Sequence, residues 1–190
     1  MNPSRHAAAT LTVEPTSHAD LEQLEPIIIK PVVMRGCFGA ALGPRLAREI
    51  LVKEWRSCQA SPANAHVVVR CLRHGRWEVA GAGYLLDGEL RFFVTPELHR
   101  HGLGRALVMA LRGEAERRQL HELSAWVYPE NTASARLLES CGFTPGATMQ
   151  VVTFERPVVH YGLSLDTTPA HLFGASPEPN RSDPIRPFGM

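Results

Sequence analysis

The chain has 190 residues, enough for one domain with a sizeable core and some tail. Hydrophobic residues make up 44% and charged residues 21%, and the formal net charge is +1, so nothing in the balance argues for nucleic acid as a partner. Cys37, Cys58, Cys71 and Cys141 lie far apart with no C-x-x-C pair, which argues against a zinc knuckle or a disulfide framework and suits reduced thiols in a cytoplasm. No apolar run approaches the ~18 residues of a membrane span, and "MNPSRHAAATLTVEP" lacks a signal-type apolar core. The expectation is a cytoplasmic protein with no membrane partner.

Residues 1–9 read as a flexible leader. "LTVEP" reads as a short strand, and "TSHADLEQL" starts a helix that Thr16, Ser17 or Asp20 could cap. "PIIIKPVVMRG" is interrupted by Pro26 and Pro31 and does not read as one regular element. Pro44 to Gln59 reads as a helix with Leu46, Ile50, Val52 and Trp55 as a rough apolar face. The period then changes. "AHVVVRCLR", "WEVAGAGYLLD" and "ELRFFV" read as three strands, joined by His74-Gly75 and by the hairpin signal Asp87-Gly88. Residues 65–94 therefore predict an antiparallel meander.

Gly102 to Arg118 predicts a helix, with Leu103, Ala106, Leu107, Ala110, Leu111 and Ala115 in one apolar stripe and a Glu114–Arg118 pair on its surface. "ELSAWVY" reads as a strand ended by Pro129. Asn131 then caps a helix whose stripe is Ala133, Leu137, Leu138 and Cys141. Gly142 sits where a helix C-terminal glycine belongs, with Phe143 packing back on Leu138. "MQVVTFE" and "VVHYGLSL" read as two last strands, and residues 167–190, rich in Pro, Ser and Asn, as a mostly disordered tail. The domain expected is 10–166, a mixed α/β unit.

"HRHGLGRAL", His99 to Leu107, is the most informative stretch. A helix N-terminus carries four amides without intrahelical partners and about half a positive charge. Gly102 and Gly104 stand at the predicted start, where a small side chain lets an anion approach, and Arg100, His101 and Arg105 add positive charge. A pyrophosphate suits this better than a metal, since His99 and His101 have no third or fourth ligand with telling spacing. The other readings are a nucleic-acid patch, which the neutral charge disfavours, and a plain helix-starting turn. The third glycine of a Rossmann fingerprint and the Lys-Ser/Thr of a Walker loop are both missing.

"FFVTPELHRHGLGRAL" resembles the acetyl-CoA loop of the GNAT superfamily of N-acetyltransferases, in which a strand with V-x-P leads into a [Q/R]-x-x-G-x-[G/A] turn and a helix. "NTASARLLESCGF" resembles that family's second signature, with one strand between the two. The likeness is strong over 90–143 and extends by element order over roughly 10–166. It implies an α/β (α+β) fold with a mixed, mostly antiparallel central sheet and a V-shaped splay between two parallel strands, here 89–94 and 122–128. It implies that the backbone of His99, Arg100, His101, Gly102, Leu103 and Gly104, with Arg105 beside it, holds the CoA pyrophosphate. Backbone groups of Phe93 and Val94 would pair with the pantetheine arm as if it were an added strand. Asn131 and Ser134 would contact that arm or stiffen the loop beneath it.

The implied activity is transfer of an acetyl group from acetyl-CoA to a primary amine of a small molecule or protein. It needs no metal, and a homodimer through the last strands is implied as well. Glu89, at the start of its strand, is the candidate base and Tyr128 the candidate acid. Two positions depart from the family pattern. His99 stands for the usual Arg or Gln, and Leu138 stands where many members carry a tyrosine thought to protonate the leaving thiolate. Leu138 keeps open a second reading, a module that binds acyl-CoA without turnover.

Overall fold

The alternating apolar run over 65–94 folds into the expected meander. In the computed structural model, which describes residues 10–38, 43–151, 154 and 156–165, β2 (Ala65–Arg73), β3 (Arg76–Leu86) and β4 (Glu89–Val94) pair antiparallel in chain order. Each hairpin closes through two consecutive left-handed residues, His74-Gly75 and Asp87-Gly88. That is the backbone a two-residue turn needs if it is to match strand twist. β1 (Leu11–Pro15) pairs antiparallel with the free side of β2. The leader and tail inferred from the sequence lie outside the described residues.

β5 (Glu122–Val127) runs parallel to β4 and is followed on its far side by β7 (Val158–Ser164) and then β6 (Thr144–Met149), giving the order β1-β2-β3-β4-β5-β7-β6. One strand lies elsewhere than its composition suggested. The sequence placed it at 149–155, of which 152, 153 and 155 lie outside the described residues, whereas β6 ends at Met149. Pro145 and Gly146 disguise it as a turn. An edge strand with a register shift between Pro145 and Thr148 accommodates both.

Five helices cover the two faces of the sheet among the described residues. On one face lies α4 (Leu103–Arg117), whose Leu103, Leu107, Val108, Leu111 and Ala115 are buried against β2, β3 and β4. Each such leucine contributes ~2 kcal/mol of apolar transfer. Glu114 and Arg118 pair as expected. α5 (Thr132–Ser140) lies beside α4.

The other face carries α1 (Asp20–Ile28), α2 (Pro31–Phe38) and α3 (Pro44–Ala60). Leu24, Ile28 and Leu51 pack there on Val68, Ala82 and Phe93. The proline-broken stretch is two helices. Pro26 sits inside α1, and the break falls at Ile29-Lys30, ahead of Pro31.

None of Thr16, Ser17 and Asp20 is the N-cap of α1. That position is Ala19, without a side-chain bond. The Asp20 carboxylate instead accepts from the Ser17 N–H and Oγ, each at 2.8 Å, and from Arg70 Nη2 at 2.5 Å. The apolar face of α3 is also shifted. Ala47, Leu51, Glu54 and Cys58 are buried, and Leu46 is exposed. No described helix is long and apolar enough to cross a membrane.

Candidate active site

β4 and β5 are the two parallel strands, and they pair at one position only, Glu89 with Ser124, backed by the Ser124 N–H donating to the Gly88 carbonyl at 2.9 Å. Beyond it they part. β4 follows β3, and β5 follows β7 as far as Val127 against Val159. This is the V expected from the resemblance.

The alternation of the β4 backbone decides which groups face the gap. The Phe93 carbonyl lies against β3, where a Cβ on Gly81 would stand 2.3 Å from it, and the Thr95 N–H donates to Ala80 at 2.7 Å. Phe93 therefore spends its backbone on β3, contrary to the sequence assignment. With a period of two, the groups turned to the gap belong to Phe92 and Val94. The Phe93 side chain still lines the space. The gap opens into a narrow cleft of about 50 Å³, walled by Cys37, Tyr84, Arg91, Phe92, Trp126, Asn131, Ser134 and Leu138 among others.

From β4 the chain passes through a 3-10 turn, Pro96–Leu98, into the glycine loop. Arg100 has φ 68°, and Gly102, the N-cap of α4, has φ 85°. No side chain caps α4, so its first-turn amides lack partners within the helix. Among the described residues, and apart from its neighbours in the chain, no atom lies within 4 Å of where a Gly102 Cβ would stand. Gly102 is thus required by conformation and leaves the helix end open to an anion.

Gly104 has a different task. A Cβ there would come within 2.9 Å of Leu137 Cδ2, so it lets α5 approach α4. Arg105 also belongs to that contact. Its Nη1 donates to the Ser140 carbonyl at 3.0 Å and to Ser140 Oγ at 3.2 Å. The two histidines brace their own loop, His99 Nε2 lying 3.3 Å from the Val94 carbonyl and His101 Nδ1 2.9 Å from the His99 carbonyl. Among the described residues, no group of three or more His, Cys, Asp or Glu is placed to hold a metal ion.

Lys30, at the α1–α2 break, reaches Thr95 Oγ1 at 3.0 Å and Glu97 at 2.7 Å. Lys30 and Thr95 hold the Glu97 carboxyl down to about 2. This clasp fixes the start of the loop to the opposite face of the sheet.

Asn131 caps α5 through Oδ1, which accepts from the Ser134 N–H at 3.2 Å. Both residues line the cleft. The C-terminus of α5 closes as predicted. Gly142 has φ 94°, its N–H donates to Glu139 and the Phe143 N–H to Leu138, a Schellman ending. Leu138 is fully buried at the cleft wall.

Glu89 and Tyr128 are not brought together. Glu89 sits at the closed end of the V with Arg91 Nε 2.5 Å from its Oε1. Tyr128 follows the end of β5, about 13 Å further on at ~3.3 Å per residue. It is buried, with Arg156 4.8 Å above its ring and Phe154 against its edge.

The sequence reading missed Glu54 and Tyr84. Glu54 is 8% exposed. Its Oε1 accepts from Arg91 Nη1 at 3.3 Å, and its carboxylate lies within reach of the Tyr84 hydroxyl. Burial raises its carboxyl above the usual range, and Tyr84 and Arg91 hold the rise back. Burial, and next the Glu54 charge, raise the Tyr84 hydroxyl, so it stays protonated. Burial and then Glu54 push the Cys37 thiol up to about 12, which rules it out as a thiolate nucleophile at neutral pH. The signal for Glu54 was present in Ala47-Leu51-Glu54-Cys58, an acid inside a buried helical stripe.

Residues 39–143 match the model of the Acetyltransferase (GNAT) family. The chain belongs to the GNAT acetyltransferase family. No curated protein matches it significantly. The fold recurs in yncA of Salmonella typhimurium, solved with its cofactor acetyl-CoA, at TM-score 0.65 and 24% identity over 84% of this chain and 96% of that one. A spermidine N-acetyltransferase from Vibrio cholerae, in complex with CoA and spermine, gives 0.64 and 19% over 81% and 95%. A Salmonella typhimurium acetyltransferase that modifies the N-terminal serine of ribosomal protein L7/L12 gives 0.67 and 14% over 83% and 96%. These likenesses place the GNAT fold over nearly all of the described residues.

Proposed function

We propose that this GNAT protein is an acetyl-CoA-dependent N-acetyltransferase that moves an acetyl group to a primary amine by direct attack. The observation that carries the reading is the combination of a stretch of β4 that, among the described residues, has no paired strand on its gap side with a helix N-terminus lacking a side-chain cap one short loop away. The amides of 100–104 suit a pyrophosphate. The exposed edge of Phe92 and Val94 suits an extended amide-bearing chain, bound as an added strand. Relatives of this fold that were solved with acetyl-CoA or CoA support the same ligand.

Acetyl-CoA supplies a thioester, an activated acyl donor. The protein's part is to hold that donor along β4, exclude water, and present an amide such as that of Val94 to the carbonyl oxygen as it gains charge. An amine reaches the cleft as an ammonium with pKa near ~10 and must lose a proton before it can attack. Glu89 and Tyr128 remain the sequence candidates for base and acid, Glu89 for the amine proton and Tyr128 for the thiolate.

The test is a thermal shift with CoA followed by thiol release with acetyl-CoA and a panel of amines. A ligand bound by the native state alone must raise the melting temperature, so no shift refutes the cofactor assignment. One observation favours the second reading, an acyl-CoA-binding module without turnover: Leu138 puts an apolar side chain at the cleft wall. A CoA-induced shift with no thiol release on any amine would select it.

A further inference from the structure

A row of polar side chains crosses the sheet beneath α3, on the face opposite to the glycine loop. Tyr84 of β3 is registered against Arg91 of β4, so both project from the same face. Both line the cleft. Behind them, from α3, stands Glu54, with Oε1 on Arg91 and its carboxylate within reach of the Tyr84 hydroxyl, which acts on it as a side-chain donor. Apolar periodicity would place a leucine in the stripe Ala47-Leu51-Glu54-Cys58, and an acid paired with Arg91 stands there instead. The cleft wall in front of this acid, formed by Tyr84 and Arg91, gives it access to whatever the cleft binds.

We infer that Tyr84 and Glu54 form the path by which the acceptor ammonium loses its proton, Tyr84 touching the amine and Glu54 receiving the proton behind it. The inference rests on the acetyltransferase reading above. The N–H proton passes to Tyr84 Oη as the hydroxyl's own proton passes to the Glu54 carboxylate, so Tyr84 ends as it began and Glu54 ends neutral. The amine keeps two protons. One stays on the product amide and one finishes on the CoA thiol, while the proton on Glu54 leaves to solvent. Tyr84 is the catalytic residue of this pair, and Glu54 is a positioning and proton-holding residue.

Charge around Glu54 fits the role. Arg91 and Glu89 face it from β4, Tyr84 from β3, and Cys37 from α2, while Lys53 and Cys58 flank it on α3. Arg91 keeps the carboxylate ionised enough to accept, and burial makes it a stronger base than a solvated glutamate. Glu89 compensates Arg91 from the other side, at 2.5 Å, so that Arg91 does not hold Glu54 fully.

The experiment measures acetyl-CoA affinity by calorimetry and kcat/KM for spermidine and for a peptide with N-terminal serine, from about pH 6 to 10, in wild type, Glu54→Gln, Glu54→Asp and Tyr84→Phe. At neutral pH Glu54→Gln and Tyr84→Phe are expected to lose ~10²-fold in kcat/KM with acetyl-CoA affinity unchanged. Their deficit should shrink about tenfold per pH unit toward the amine's own pKa, because solvent then supplies the neutral amine. Glu54→Asp should recover part of the loss. A purely structural defect would show no such recovery with pH. Rates within threefold of wild type, or a deficit independent of pH, overturn the inference. Acetyl-CoA binding by wild type with no transfer to either amine overturns it too, and leaves the cofactor assignment standing. No acetyl-CoA binding overturns both. Tyr84→Phe removes only a hydroxyl and still decides the matter if the Glu54 variants do not fold.

Discussion

Replacing His66 with glutamine should flatten the acid side of the stability profile. His66 is 6% exposed, its Nδ1 lies 2.6 Å from Thr16 Oγ1, its ring stacks on Tyr84 at 5.5 Å, and its Nε2 is buried without a hydrogen-bond partner. Protonation would place a charge and an unanswered donor in the core. Burial therefore pulls the ring down from 6.5 to about 4, with the Asp20 carboxylate opposing. A depressed value contributes stability that is fully present above 6.5 and is lost as pH falls toward 4. At ~1.4 kcal/mol per pH unit the limit is ~3 kcal/mol, with ~2.5 kcal/mol gone by pH 4.5. Asp20 does not confuse this window. Burial would raise its carboxyl, but Ser17 and then Arg70 outweigh that and hold it below the usual range. Glutamine keeps a partner for Thr16 and cannot titrate. Urea unfolding at fixed ionic strength between pH 7.5 and 4.5 should show wild type and His66→Gln converging by ~2.5 kcal/mol as pH falls. Parallel curves would refute the reasoning.

Gly102→Glu should keep the fold at a cost of ~1 kcal/mol for a side chain at φ 85° and lose CoA affinity, read by calorimetry on a protein with unchanged circular dichroism. Gly104→Glu should differ, because the new side chain meets Leu137; overpacking of ~1–3 kcal/mol would lower the melting temperature as well as CoA affinity. Asn131→Ala removes the cap of α5 and should cost ~1 kcal/mol in urea unfolding, with Asn131→Asp restoring most of it. His99→Ala should leave CoA affinity within a few-fold, since backbone amides do the binding; a large loss would give the imidazole a direct part.

The fold was legible where one face of an element is buried and the other is not. Alternation in 65–94 marked three strands, and the stripe from Leu103 to Ala115 marked α4. The Asn131 and Gly142-Phe143 signals fixed both ends of α5. Reading failed where tertiary contact overrides local pattern. Pro145 and Gly146 hid an edge strand, Pro26 sits inside a helix, and the buried face of α3 runs through a glutamate where apolar periodicity looks for leucine. The glycine loop was found, yet its parts were given one task where the structure gives them two. Gly102 shapes the helix end, while Gly104 and Arg105 hold α5. Phe93 and Val94 cannot be told apart from sequence, because which backbone groups a strand spends on which neighbour depends on register.

Because one bridge joins β4 to β5, the width of the cleft is not written into any ladder of hydrogen bonds. It is set at arm's length, by how deeply α5 seats on α4 through Leu137 over Gly104 and Arg105 over Ser140. The seat of α5 thus works as a set-screw for the jaws. Loosening it is expected to change the width of the gap without touching a wall residue.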